Sequence, residues 1–155
     1  MTRRIRNLDT LRFTGFESWV NTNPNLDSQE LGLSVLDIDK IYYHLEKWVC
    51  YVLVLELKSF GRYACSEAQR EGYRLIDQLF RERHGGKVTV YGNDYTLQYN
   101  GCYVVSFSRD GPEDSDQIKI KHLVGPRVSI DVQTLEDILA FRINPNDFVP
   151  DPENE

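Results

Sequence analysis

Asp39, Glu56 and Lys58 are the residues of this chain whose types and spacing suit a chemical task. The segment Leu36-Asp37-Ile38-Asp39-Lys40 is followed, seventeen residues after Asp39, by Leu55-Glu56-Leu57-Lys58. In a hairpin that turns near residues 46 to 48, Asp39 and Glu56 fall opposite or nearly opposite one another. Side chains alternate along a strand, so Glu56 and Lys58 point to the same side. Two carboxylates on one face are a donor set for a hard cation, Mg²⁺ or Mn²⁺, which takes one or two protein carboxylates and keeps several waters. Such an ion polarises a phosphodiester and lowers the pKa of a bound water. Lys58 would orient that water or neutralise charge on the phosphoryl oxygens. Glu56 also follows the apolar run Val49 to Leu55, and charges at the end of a buried strand are costly unless paired or metal-bound. Asp37 shares a face with Asp39, so either acid can be the first ligand.

The elements that must position these residues are readable from periodicity. Leu8, Leu11, Phe16 and Trp19 predict a first helix over residues 8 to 20, and Asn21 to Leu31 reads as a loop. Leu33 to Tyr43 and Trp48 to Leu57 read as a hairpin with its turn at His44-Leu45-Glu46-Lys47. Ser66 to Arg83 predicts a helix with Ser66 as N-cap, an apolar face of Ala68, Leu75, Ile76, Leu79 and Phe80, and a stop at Gly85-Gly86. Lys87 to Tyr91, Tyr95 to Tyr99 and Cys102 to Phe107 read as a meander turning at Asn93-Asp94 and Asn100-Gly101. After a charged loop, Arg109 to Asp116, come a strand pair at Ile118 to Val124 and Arg127 to Val132, and a last helix capped by Thr134 with Asp137. One domain over residues 1 to 144 and an acidic, Pro-containing tail over 145 to 155 follow from this reading.

Asp39, Glu56-Leu57-Lys58 and Gln69-Arg70-Glu71-Gly72-Tyr73 together resemble the PD-(D/E)XK nucleases, in particular the RecB-like branch with a Gln-x-x-x-Tyr motif. A group of phage and prokaryotic nucleases is the most similar, because Asn100 to Phe107 also has the look of their closing strand. The resemblance spans residues 33 to 83. It implies an α/β fold with a restriction-endonuclease-like core: helix, strands, helix and strands, with a central mixed β-sheet flanked by helices. It further implies a Mg²⁺- or Mn²⁺-dependent deoxyribonuclease in which Asp39 and Glu56 bind metal, Lys58 is catalytic, and Gln69 and Tyr73 position the nucleic acid. Asp39 is preferred over Asp37 because related sequences use the second acid. The family often adds a glutamate from the first helix; Glu17 is the candidate, against an ordinary exposed helix residue. Ile38 stands where the family has proline, and the loop at 21 to 31 leaves little room for an extra strand.

The remaining signals bound the partners. Arg70, Arg74 and Arg81 recur on the second helix and could contact DNA phosphates, with Glu67, Glu71 and Asp77 partly cancelling their field. The net charge is −6, yet residues 1 to 100 hold thirteen basic against thirteen acidic residues, so the acid surplus lies in the last third. His44, His84 and His122 show no ligand spacing, and Gly85-Gly86 lacks a P-loop partner. Three widely spaced cysteines suit reduced thiols in the cytoplasm. The longest apolar run, Trp48 to Leu55, is far shorter than the roughly 20 residues of a spanning helix, so no membrane partner is expected. A homodimer that cuts two strands is compatible with this reading. The alternative is an inactive domain of the same fold that binds nucleic acid or protein, such as a phage accessory or inhibitor protein.

Overall fold

The computed structural model describes residues 38–153, together with Trp19, Thr22, Asn23 and Asn25. Glu17, Asp37 and almost all of the expected first helix lie outside the described residues; Trp19 is helical and exposed. The described residues form an α/β fold with a mixed, open six-stranded sheet and two helices. The strands are β1 (Lys40–Glu46), β2 (Val49–Lys58), β3 (Lys87–Val90), β4 (Asn93–Phe107), β5 (Ile118–His122) and β6 (Val128–Ile130). The helices are α1 (Glu67–Arg83), between β2 and β3, and α2 (Val132–Leu139), after β6. Strand order is β1-β2-β4-β5-β6, with β3 paired to the first residues of β4. Among the described strands only the β2–β4 pair is parallel, joined by the crossover that contains α1.

The β1–β2 hairpin is present, with its turn later than expected. β1 runs through Glu46, which pairs with Val49, and the turn is Lys47-Trp48, both at positive φ (49° and 65°). Two left-handed residues match the right-handed twist of the flanking strands, which is why a two-residue turn forms here without glycine.

β2 is buried on both faces because an antiparallel neighbour and a parallel one flank it, and a layer covers each side. Leu53 and Leu55 enter one core with Phe107, Ile120, Leu135 and Ile138, against α2. Cys50, Val52 and Val54 enter the other with Tyr73, Tyr99, Cys102 and Val104, against α1. This alternation fixes the direction of the two residues that follow Leu55. Glu56 and Lys58 continue the α1 face, while Leu57 packs on the other core.

Two expectations about later strands change. Tyr95–Tyr99 and Cys102–Phe107 are one 15-residue strand, and β3 turns into it through Tyr91-Gly92. Asn100-Gly101 is a bulge: pairing moves from Val52↔Tyr99 to Val54↔Cys102, so β4 spends one extra residue. The extra residue inverts the phase of the strand. Leu97 and Tyr99 before it, and Cys102 and Val104 after it, therefore all face α1. Gly101 sits at φ +111°, and a Cβ there would lie 2.6 Å from the Tyr103 hydroxyl.

The helices follow their caps. Ser66 Oγ accepts from Gln69 N while Gln69 Oε1 accepts from Ser66 N, a complete capping box. α1 buries Tyr73 and half-buries Ile76 and Phe80, whereas Leu75 and Leu79 are exposed. Leu79 borders an apolar groove of about 580 Å³ with Ile38, Ile41, Tyr43, Ile76 and Val88. For α2 the N-cap is Asp131, whose carboxylate accepts from Thr134 N, so Thr134 is inside the helix and is not its cap.

Residues 145–153 are seated on the domain. Val149 belongs to the α2-side core, Asn146 Nδ2 donates to Asn100 O at 3.1 Å, and Asp151 and Glu153 pair with Arg81 and Arg74. Cys50, Cys65 and Cys102 are free thiols, and no helix of the described residues is long and apolar enough to cross a membrane.

Candidate active site

Three elements meet where β2 leaves the sheet. The antiparallel register, Lys40↔Leu55, extended by one step sets Asp39 opposite Glu56. The ladder ends there, and Asp39 Oδ2 accepts a hydrogen bond from Leu57 N at 3.0 Å. A side-chain oxygen thus continues the β1–β2 pairing and holds the Asp39 carboxylate beside the end of β2.

Glu56 is fully buried (0% exposed), and it accepts from residues of β2 and α1. Lys58 Nζ lies 3.2 Å from Oε1, Gln69 Nε2 donates to the same oxygen at 3.4 Å, and the Tyr73 hydroxyl donates to Oε2. The same Tyr73 oxygen accepts from Asp39 N at 3.3 Å, so one phenol ties the two acid-bearing strand ends together. Gln69 Oε1 in turn accepts from Lys58 Nζ at 3.4 Å and from Ser66 N at 3.2 Å. The capping residue of α1 therefore also orients the ammonium. Gln69 and Tyr73 act jointly because residues four apart lie on one helical face.

The electrostatics follow from burial. Removal from water pushes the Glu56 carboxyl above the usual glutamate range, and the nearby Asp39 charge pushes it further; the Tyr73 hydrogen bond and Lys58 oppose them. Burial and the hydrogen bond to Glu56 raise the Tyr73 phenol, which stays protonated and remains a donor. The repulsion that Asp39 exerts on the Glu56 carboxylate is what a cation bound between them would offset. Their hard oxygens suit Mg²⁺ or Mn²⁺ held through one or two carboxylates and waters. Among the described residues no third His, Cys, Asp or Glu joins Asp39 and Glu56, so water or substrate would complete the coordination.

The sequence-expected residues Asp39, Glu56, Lys58, Gln69 and Tyr73 thus form one hydrogen-bonded cluster. The arginines of α1 divide. Arg70, next to Gln69 in α1, has a single ion pair among the described residues, with Glu71 at 4.0 Å. Arg74 bonds to Glu71 and Glu153, and Arg81 to Asp77 and Asp151, so acids hold both guanidiniums. Beside the cluster lie Lys119, Lys121, Arg127 and Tyr63, which sequence reading did not single out. The alternation Ile118-Lys119-Ile120-Lys121 was the available signal, since it puts both lysines on one face.

No protein-family model, no curated protein and no solved structure matches the chain.

Proposed function

We propose that the chain is a metal-dependent nuclease of the PD-(D/E)XK type that hydrolyses DNA phosphodiester bonds. One observation carries this reading: the five residues that resemble the family's motifs, from the start of β1, the end of β2 and the start of α1, touch in a single cluster. The mixed sheet, with its parallel β2–β4 pair spanned by α1, is compatible with the restriction-endonuclease-like core that this reading requires.

In this account Asp39 and Glu56 hold Mg²⁺ or Mn²⁺, whose chemistry is polarisation of the phosphoryl group and supply of a hydroxide-like nucleophile. Lys58, 3.2 Å from Glu56 and 13% exposed, places an ammonium where charge develops on phosphoryl oxygens. Gln69 fixes that ammonium by accepting from it while donating to Glu56. Tyr73 holds Glu56 through a protonated hydroxyl, and the burial of both keeps bulk water from that side.

A second reading, an inactive domain of the same fold that binds nucleic acid or protein, is favoured by a different observation. Both Glu56 oxygens already accept from protein donors, and Lys58 compensates the carboxylate internally. Cleavage of linear, nicked, branched and single-stranded DNA, with Mg²⁺ or Mn²⁺, by the wild type beside Glu56→Ala and Lys58→Ala separates the two. Metal-dependent cleavage by the wild type alone is expected. Equal, metal-independent behaviour of three folded proteins would sink the enzymatic reading.

A further inference from the structure

The sheet face that carries Glu56 and Lys58 continues across β4, β5 and β6. Strand pairing sets Lys58 beside Ser106, Ser106 beside Lys119 and Lys119 beside Ser129. The next row is Glu56, Val104 and Lys121, and the β5–β6 register extended by one residue adds Arg127. Paired residues share a face, so Lys119, Lys121 and Arg127 form a basic strip contiguous with the acidic cluster. Lys119 and Lys121 are half-buried and Arg127 is exposed.

Several of the described cations lie against a carboxylate, and those of the strip are not among them. Lys87, Arg74, Arg81 and Arg142 each lie against a carboxylate. Among the described residues no carboxylate pairs with Lys119, Lys121 or Arg127. Asp131, at the end of β6, is committed to capping α2. Asp110, Asp114 and Asp116 line another hollow with Phe60 and Ser108. In a chain of net charge −6, three cations with no carboxylate partner among the described residues, on β5 and just before β6, make a local field fit for a polyanion.

An aromatic ring stands level with these cations. The Arg127 guanidinium lies 3.8 Å from the centroid of Tyr63, and Lys121 Nζ lies 5.9 Å from it. Tyr63 remains 45% exposed. Its loop is pinned, because Phe60 N donates to Arg109 O and Gly61 N to Phe107 O, both at 2.9 Å.

We propose that this face is a track for single-stranded nucleic acid, with phosphates on Lys119, Lys121 and Arg127 and a base stacked at Tyr63. A positive surface with an aromatic platform fits a single strand, which presents its base faces, whereas a duplex stacks them away. Only the track's role in feeding a strand to Asp39, Glu56 and Lys58 rests on the nuclease reading.

Fluorescence anisotropy with labelled oligothymidine and a duplex of equal length, in EDTA so that nothing is cut, tests the proposal on the full chain. The wild type is expected to bind the single strand more tightly. Lys119→Gln/Lys121→Gln/Arg127→Gln weakens binding and lowers the slope of log affinity against log salt by about 0.7 for each phosphate that is no longer neutralised. Tyr63→Leu weakens single-strand binding about ten-fold with the slope unchanged. No binding by the wild type, a duplex preference, or a folded triple variant that binds like the wild type would overturn the track. A wild type that binds through these residues and cuts nothing with Mg²⁺ or Mn²⁺ overturns the nuclease reading and leaves the track standing. A wild type that cuts while the triple variant binds unchanged does the reverse.

Discussion

Substituting Gly101 by alanine tests whether the β4 bulge sets the phase of the sheet beneath the site. Gly101 is at φ +111°, which an L side chain occupies at a cost of about 1–3 kcal/mol. The added Cβ would stand 2.6 Å from Tyr103 Oη and 2.9 Å from Cε2 and Cζ. Tyr103 has no room to retreat: it is fully buried, and its hydroxyl is within 2.6 Å of Asn100 O and 2.7 Å of Asn146 Oδ1. Displacing the ring forfeits a buried hydrogen bond, about 1–3 kcal/mol. Together these give a loss of about 2–6 kcal/mol, against a typical domain stability of about 5–15 kcal/mol. At about 2–4 °C per kcal/mol for a domain of this size, Tm falls by about 4–24 °C. Thermal melts followed by circular dichroism measure it. Gly111→Ala is the control, since nothing lies within 4 Å of its added Cβ. If Gly101→Ala melts within a degree or two of the wild type, the bulge does not have the constraint assigned to it.

Tyr73→Phe removes a hydrogen bond that lowers the Glu56 carboxyl, which in the metal-free protein should then titrate at higher pH than in the wild type. Because its folded pKa is raised, Glu56 favours folding most below the ordinary glutamate pKa, and that contribution is lost as pH rises through the folded value. Carboxyl NMR reads the shift; an unchanged midpoint contradicts the assigned role. His122 behaves in the opposite sense: burial holds its imidazole below the ordinary value despite Asp151 at 3.8 Å. Its stability contribution is present above the ordinary histidine pKa and lost as pH falls, so His122→Gln should flatten the wild type's loss between pH about 7 and about 5 in urea melts. Ser66→Ala should cost about 1 kcal/mol by calorimetry and, by loosening Gln69, reduce cleavage without abolishing it. Full activity in that variant would mean that the capping box does not orient the Lys58 ammonium.

The hairpin, α1 and the five-residue cluster were legible because their signals are local: an apolar run that ends in Glu56 and Lys58, a Ser66 cap, and a four-residue interval between Gln69 and Tyr73. What escaped depended on tertiary pairing. Asn100-Gly101 has the composition of a turn, and only the parallel partner β2 turns it into a bulge within one long strand. The acid- and proline-containing end has the composition of a tail, yet Val149 finds an apolar site, and Asp151 and Glu153 find arginines of α1. Those pairings tie up Arg74 and Arg81, which a sequence reads as available cations. The basic strip joins residues of β5 to Arg127 and Tyr63, 64 positions apart, so no window along the chain shows it.

Everything proposed for the site depends on Asp39 and Glu56 holding one cation beside Lys58. Calorimetric titration of Mn²⁺ into the metal-free full chain, with Asp39→Asn and Glu56→Gln in parallel, tests this most directly. One ion bound by the wild type and lost in both folded variants is the predicted result. Equal retention of the ion by the variants, or no binding by the wild type, would contradict it.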